Sequence, residues 1–399
     1  MPYHIADINK APEGRRKIEW ISGRMPVLNS LYERFLKKGT FKGKTVAVSI
    51  HLEAKTAYLC LILKRLGADV WATGSNPFST KDEVTATLAE EDINVFAKYG
   101  VSEEEHQIEL DALISSQPEV ILDDGADICH YIHKRPECGI RLKGISEETT
   151  TGVIRLKRLE QESKLLFPTY TVNEAKSKHL FDNRYGTGQS MWTSITHLTN
   201  MTIAGRNVVV IGYGWVGRGV ATIARGMGAQ VIITEIDPWK SLEAHMDGYR
   251  VMTLKDACKI GDIIITATGL EHVVREEHFK LMKDGVLIGN SGHSDLEADV
   301  PRLNAVAIKK IEARENIFEY TLNSGKHIYM LADGRIVNIA GGLGHPAEIL
   351  DMSFALQLAS LENILTQPKA NPGVYPVPNS IDESVVREKL LVEGIQIDS

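Results

Sequence analysis

The sequence predicts an α/β protein built from two Rossmann-like, doubly wound blocks. Three observations lead there. Short apolar runs alternate with stretches of helical spacing along most of the 399 residues, the pattern of parallel sheets covered on both faces. One stretch, 206–238, reads strand, glycine turn, helix, strand, acid. Polar residues follow directly on the apolar runs, where open parallel sheets bind ligands.

In chain order, residues 18–38 have helical spacing. Thr45–Ile50 reads as a strand, Glu53–Leu66 as a helix and Ala68–Thr73 as a second strand. Val95–Ala97 and Val120–Leu122 add two more, the latter running into Asp123-Asp124-Gly125, and short apolar runs lie at 140–145 and 165–172. After these strands come His51, the group Asn76 to Asp82, Asp124, the run Glu147 to Thr151, and Asn173. Loops are polar in any protein, but several strand ends carrying such groups suggest one constructed crevice. Residues 174–190 connect the two blocks. Within them Lys178 and Asp182 are spaced i, i+4, which on an α-helix puts both on one face. Such spacing is ordinarily a surface ion pair, whereas a buried lysine of depressed pKa would be a base for a sugar hydroxyl.

A helix at 191–204 leads into the second block. Val208–Ile211 is apolar, and Gly212, Gly214 and Gly217 follow as G-x-G-x-x-G around Trp215 and Val216. Gly212 permits a tight turn, Gly214 lets backbone approach a pyrophosphate, and Gly217 lets helix pack closely on strand. The helix N-terminus offers free N–H groups to the phosphates. Gln230–Thr234 is the second strand and leads to Glu235, placed to accept from an adenosine ribose, which favours NAD over NADP. The alternation continues through Gly261–Thr268 and Val286–Ile288, the latter leading to Asn290-Ser291-Gly292-His293. Shorter strands are expected over 305–338, with turns at Asn323-Ser324-Gly325 and Asp333-Gly334. The glycine-rich piece Ala340–His345 precedes a long helix, Pro346–Thr366. A proline-rich crossing and a short charged helix, Asp382–Glu393, close the chain.

Composition excludes several classes. With 43% hydrophobic and 24% charged residues and a formal charge of −7, nothing points to nucleic acid or a membrane surface. No apolar run approaches the ~20 residues that span a bilayer. The N-terminal residues have no apolar signal core, so a cytoplasmic protein is expected. Four cysteines are few for a disulfide scaffold and fit a reducing compartment. Cys129, His130, His133 and Cys138 match no standard zinc spacing, and no metal site is expected.

At these residues the sequence closely resembles the S-adenosylhomocysteine hydrolase family along nearly its full length. The resemblance is carried by Ile121-Leu-Asp-Asp-Gly-Ala-Asp127, Gly144-Ile-Ser-Glu-Glu-Thr-Thr-Thr-Gly-Val153, Phe181-Asp-Asn-Arg-Tyr-Gly186, the unit Gly212–Asp237, Asn290-Ser-Gly-His-Ser-Asp295 and Gly344-His-Pro346. It implies a split substrate-binding domain, 1–183 with 346–380, an inserted NAD-binding domain, 184–345, and a short tail, 381–399. It also implies reversible hydrolysis of S-adenosylhomocysteine to adenosine and homocysteine. Tightly bound NAD oxidises the ribose 3′-hydroxyl and later restores it. Between those steps the neighbouring C4′ proton leaves, homocysteine is eliminated and water adds. Domain closure is expected to sequester the intermediates.

By motif match Lys178, as base, and Asp182 would handle the 3′-hydroxyl proton, and Asp124 is the candidate base at C4′. His51 and His293 would serve the leaving thiol and the incoming water. Glu148 would bind the ribose hydroxyls, Asn183 would position sugar and nicotinamide, and His345 would lie at the nucleobase. Thr149, Thr150, Thr151, Asn173 and Asn338 match positions around the nicotinamide half of NAD. With them as cofactor residues go Gly212, Gly214, Trp215, Val216, Gly217, Glu235, Thr268 and Asn290. The only partner implied is a small nucleoside thioether, and a homotetramer is expected. Reading the fold alone, an NAD-dependent dehydrogenase that releases NADH, or a catalytically silent homologue, are the alternatives.

Three departures from the family pattern qualify these expectations. The common H-x-T-x-E or H-x-T-x-Q motif is here His51-Leu-Glu53-Ala-Lys55, the H-x-E-x-K form of archaeal and some thermophilic bacterial members. A lysine only donates, so Lys55 suits the 6-oxo group of hypoxanthine unless Glu53 holds it and meets the base itself. That makes S-inosylhomocysteine hydrolysis the alternative reaction. As i, i+2 neighbours on a helix, Glu53 and Lys55 are not expected to share a face. The sequence stops at Ser399, before a family tail that reaches a neighbour's NAD, so looser NAD retention is expected. Ser294 replaces an aromatic residue, which leads us to expect looser packing there.

Overall fold

The structure, a computed structural model, describes residues 2–292 and 294–398. The expected catalytic residue His293 lies outside the described residues. The chain divides into two compact units, Met1–His179 with Ala347–Ser399, and Leu180–Pro346.

The first unit contains β1 (Tyr3–His4), β2 (Thr45–Ser49), β3 (Asp69–Thr73), β4 (Asn94–Phe96), β5 (Val120–Asp123), β6 (Gly144–Glu147) and β7 (Pro168–Thr171). A last strand, Gly373–Pro376, comes from the returning segment and becomes β16 in chain order. They form one sheet in the order β1-β4-β3-β2-β5-β6-β7-β16, parallel throughout. Every residue of β2, β5 and β6 is buried, as a parallel sheet covered on both faces requires. That explains their continuous apolar runs. The order reverses between β2 and β5, so the loops after these two strands flank the crevice where such sheets bind ligands. His51 follows β2 and Asp124 follows β5.

Two strands escaped the periodicity argument. β1 is a two-residue edge strand, too short to show alternation. β16 lies inside the proline-rich crossing and pairs with β7. Proline lacks a donor and is tolerated on an edge strand, not a central one. The long helix Ala347–Thr366 lends Asp351 to this unit. Its carboxylate accepts from Val27 N (3.0 Å) and Leu28 N (2.8 Å), capping helix Pro26–Lys38, which has no side-chain cap of its own. Residues 381–399 contain most of helix Asn379–Val392 and belong to this first unit.

The second unit contains β8 (Asn207–Ile211), β9 (Gln230–Thr234), β10 (Arg250–Val251), β11 (Ile263–Thr266), β12 (Val286–Asn290), β13 (Ala307–Arg314), β14 (Ile317–Leu322) and β15 (His327–Leu331). Their order is β10-β9-β8-β11-β12-β15-β14-β13, parallel up to β15 and antiparallel over the last two pairs. The reversal falls between β8 and β11, which places the glycine turn after β8 and Thr268 after β11 at this sheet's switch point. Helix Thr187–Thr199 crosses helix Trp215–Gly226 closely. A Cβ on Gly188 would lie 2.7 Å from the Gly219 carbonyl carbon, and Trp192 Nε1 donates to Val220 O at 2.8 Å. Among the described residues no helix is long and apolar enough to cross a membrane.

Candidate functional site

At the switch point of the first unit, the loop after β2 carries His51 and then Glu53, the N-cap of helix Ala54–Arg65. His51 Nδ1 is 2.7 Å from Ser79 Oγ, and its Nε2 lies 3.6 Å from Asp124 Oδ2. Ser75 Oγ donates to that same oxygen at 2.8 Å. Asp124 is 2% exposed, yet its Oδ1 has no hydrogen-bond partner. A buried acceptor left open is costly. Here it stands at a strand end beside a histidine.

Of the two arrangements the sequence left open for Glu53 and Lys55, the structure has the one in which Glu53 holds Lys55. Glu53 is extended (φ −131°, ψ −174°) and stands outside the helix, so the helical i, i+2 rule does not apply to it. Its Oε1 accepts from Lys55 N at 3.2 Å, and its Oε2 lies 2.8 Å from Lys55 Nζ. Lys55 is buried at 4% exposure. The pair presents a carboxylate acceptor and an ammonium donor together.

What holds Asp124 was not legible in the sequence. Asp124 begins a turn in which Gly125 (φ +85°) and Ala126 (φ +61°) are left-handed. The fully buried Glu147, at the end of β6, accepts from Gly125 N, Ala126 N, Thr149 N and Thr149 Oγ1, each at 2.9 Å. One carboxylate thus ties the Asp124 turn to the start of helix Thr150–Gln161. A Cβ on Gly152 would sit 2.1 Å from Glu147 Oε1, so glycine makes room for it. Asp123 does similar work, accepting from Asp124 N, Ile128 N and Cys129 N at 3.0, 3.3 and 2.7 Å. Burial, then Asp123 and Asp124, raise the Glu147 carboxyl well above its usual range. Burial, then Asp127, push Asp123 up to about 7.

A carboxyl raised on folding contributes stability below its unfolded value of ~4, and that contribution is lost as pH rises through about 7. Asp123→Asn is therefore expected to flatten the fall in melting temperature between about pH 4 and 7. Parallel wild-type and variant curves would contradict this.

Thr149 caps helix Thr150–Gln161, accepting from Gly152 N at 3.3 Å and Gly125 N at 3.0 Å. Its hydroxyl is thus bonded within the protein. Thr150 Oγ1 accepts from Asn173 Nδ2 at 3.0 Å, which leaves Thr150, Thr151 and Asn173 beside the open N–H groups of a helix start. Glu148 Oε1 is 3.3 Å from Lys178 Nζ, and its Oε2 accepts from Gln357 Nε2. Ser146 Oγ donates to Gln357 Oε1. Gln357, on the returning helix, is a member of the site that sequence reasoning missed.

Lys178 opens a π-helix, Lys178–Gly186. The α-helical spacing argument for Lys178 and Asp182 therefore does not hold, because a π-helix closes i→i+5. Lys178 is 5% exposed. Asp182 and Asn183 belong to the second unit. There Asp182 Oδ1 is 2.8 Å from His345 Nδ1, and His345 Nε2 is 3.1 Å from Thr187 Oγ1.

The dinucleotide turn has the geometry its glycines promised. Gly212 has φ +99°. A Cβ on Gly217 would lie 2.0 Å from the Gly212 carbonyl oxygen, whereas one on Gly214 would meet nothing within 4 Å. Protein packing demands Gly217. The bareness of Gly214 leaves a cradle that fits a pyrophosphate at the helix start. Trp215 stacks under Arg218, 4.8 Å from its guanidinium, and Val216 packs on the core of this unit. Glu235 accepts from Tyr213 N (2.8 Å), Ile236 N (2.7 Å) and Asp237 N (3.0 Å). A carboxylate has about four acceptor sites, so capacity remains for a ribose hydroxyl.

Asn338 is 1% exposed. Its Nδ2 donates to Ser190 Oγ at 2.9 Å, while its Oδ1 has no partner, which fits an acceptor for a carboxamide N–H. Thr268 N and Oγ1 donate to Glu297 Oε2 at 2.9 and 2.8 Å. Glu297 is a fully buried residue that no motif flagged. Asn290 is bonded on every side. Its Oδ1 accepts from Thr266 Oγ1 and Gly292 N, both at 2.9 Å, and its Nδ2 donates to Ser294 O (2.8 Å) and Gly334 O (3.0 Å). All four amide positions are filled within the protein, so Asn290 pins its loop. No group of three or more His, Cys, Asp or Glu among the described residues is placed to hold a metal.

A dinucleotide cradle at one switch point and a buried, partly open carboxylate at another define the class: an NAD-dependent enzyme with two doubly wound units. A family model described as S-adenosyl-L-homocysteine hydrolase matches residues 2–139, and one described as the NAD binding domain of that hydrolase matches 183–344. The chain belongs to this family. The adenosylhomocysteinase of Pyrococcus abyssi is 50% identical over 398 residues, covering 99% of this chain and 94% of that one. That of Aquifex aeolicus is 48% identical over 401 residues, covering 100% and 96%. The S-inosyl-L-homocysteine hydrolase of Methanopyrus kandleri is 48% identical over 399 residues, covering 99% and 94%. The cofactor of the chain is NAD.

Proposed function

We propose that the chain hydrolyses S-adenosyl-L-homocysteine reversibly to adenosine and L-homocysteine. In this reading residues 1–183 with 346–380 handle the substrate and 184–345 hold NAD. The observation that carries it is the open, buried Oδ1 of Asp124. A dehydrogenase needs no second base, whereas elimination across C4′–C5′ does. NAD, when bound on Gly212–Gly217, Glu235 and Asn338, supplies a hydride acceptor that restores what it took.

The chain's own residues do the rest. Lys178 takes the proton of the 3′-hydroxyl, with Asp182 as its associate in that transfer. Once a ketone stands at C3′, the C4′ hydrogen is acidic enough for Asp124. His51 serves the leaving thiol and His293 the incoming water. Glu148 receives the ribose hydroxyls, Asn183 orients the sugar, and His345 lies toward the nucleobase.

Glu53 and Lys55 meet the purine. Since Glu53 holds Lys55 at 2.8 Å, the pair still offers an acceptor for adenine's amino group, and this supports adenosine as the product. The donor face of Lys55 also suits hypoxanthine, which keeps S-inosyl-L-homocysteine as the second reading. The test is synthesis from homocysteine with adenosine or with inosine. Far better use of inosine would overturn the adenosyl assignment. Accumulation of free NADH in stoichiometric yield would overturn hydrolysis altogether. Lys55→Gln is expected to move the kcat/KM ratio toward adenosine by about 10-fold, the worth of one such contact. An unchanged ratio would show that Lys55 does not read the base.

We further read the protein as a cytoplasmic homotetramer. Ile236 (92% exposed) precedes helix Pro238–Met246, on which Trp239 (81%), Leu242 and Met246 (78%) recur at helical spacing. An open apolar stripe of this kind supports association. Light scattering at four times the chain mass is the expected result.

A further inference from the structure

Helix Asn379–Val392 carries a carboxylate that serves another segment. Asp382 lies in its first turn, where an acidic side chain ordinarily faces the free N–H groups of its own helix. Instead Asp382 Oδ2 accepts from Lys176 N at 2.8 Å and Oδ1 accepts from Ser177 N at 3.1 Å. Asp382 is 6% exposed and Ser177 is 2% exposed, so these bonds are made away from water. The two residues they hold immediately precede Lys178, where the π-helix begins. A helix start leaves its first N–H groups without carbonyl partners. A carboxylate oxygen on each of two successive N–H groups fixes both the position and the direction in which the chain enters the helix.

Lys178 is therefore held at its tip and at its backbone. Its ammonium is 3.3 Å from Glu148 Oε1, itself braced by Gln357, and the backbone just before it is clamped by Asp382. Both braces come from the returning segment, on its two successive helices. A long lysine side chain anchored only at its tip would let the backbone shift and carry the ammonium off line. Charge-assisted bonds to the adjoining N–H groups remove that freedom.

We propose that Asp382 is a positioning residue for Lys178, acting on the proton transfer at the 3′-hydroxyl without touching substrate. This rests on the functional reading above, in which Lys178 is the base for that proton. It assigns a catalytic consequence to a residue in the C-terminal helix, far in sequence from every motif residue.

The test uses the full-length NAD-loaded enzyme mixed rapidly with adenosine, with near-ultraviolet absorbance reporting hydride transfer. For Asp382→Ala the rate constant is expected to fall about 100-fold, the cost of a small misplacement, with amplitude and KM within about 3-fold of wild type. Asp382→Asn keeps one acceptor oxygen and is expected to fall by only about 10-fold. A defect of folding alone would lower the amplitude, the fraction of competent enzyme, and leave the rate constant unchanged. That result, or a wild-type rate constant in both variants, overturns the proposal. If Asp382→Ala does not fold, Asp382→Asn decides: a rate constant about 10-fold down at full amplitude supports the role, and an unchanged one refutes it. Absence of any signal from wild type, with adenosine and with inosine, would instead refute the functional reading.

Discussion

Asp124→Asn is expected to lower kcat by about 1000-fold, within the range that a positioned general base supplies. The reason is local. Asn keeps the shape of Asp and can still accept from Ser75, which sits 2.8 Å from Oδ2, but it cannot take a proton at the open Oδ1. The Glu147 and Asp123 bonds that set the turn go to backbone N–H groups, so the fold of the turn survives the change. Hydride transfer from added adenosine should therefore persist at near wild-type rate, while exchange of the C4′ hydrogen with deuterated water should vanish. Loss of both signals together would mean that Asp124 acts earlier than C4′. Retention of exchange would remove it as the base.

The second large effect separates two glycines of one motif. Gly217→Ala is expected to cost about 3 kcal/mol of stability, at the upper end for overpacking, and to abolish NAD binding. The new Cβ would stand 2.0 Å from a backbone oxygen, and backbone cannot step aside as a flexible side chain can. Gly214→Ala should leave the melting temperature nearly unchanged, because its Cβ meets nothing within 4 Å and its φ of −74° suits any residue. It should nevertheless weaken NAD binding about 100-fold by standing where the pyrophosphate must approach. Calorimetric titration of the apoenzyme and thermal melts together check this pair. Wild-type affinity in Gly214→Ala would mean that the phosphates lie elsewhere.

The contrast between those glycines marks what was readable beforehand. The dinucleotide unit, the parallel sheets and the strand-end residues His51, Asp124 and Glu148 follow from period and spacing, which are local properties of the chain. For Glu53 and Lys55 the sequence left pairing open, because the helical rule against it applies only if Glu53 is inside the helix. Its extended backbone put it outside. Lys178 and Asp182 were read on an α-helix, and the chain forms a π-helix there. Asn290 and Thr149 were read as ligand contacts, but neighbouring backbone and side chains already occupy their polar groups.

By itself, the sequence determined the fold class, the dinucleotide turn and the chemical types available at each strand end. These depend on residues within a few positions of one another. Only the tertiary structure decided which partners each carboxylate takes. Asp123–Asp124 and Glu147–Glu148 are two pairs of adjacent acids, and all four accept from donors of the protein, yet Asp124 keeps its Oδ1 open. Only the tertiary structure brought Gln357 to Glu148 and Asp382 to the entry of the Lys178 helix, across 209 and 206 residues. Hydrogen-bond partners at such separation leave no periodicity or motif, because what joins them is the packing of the returning segment within the first unit.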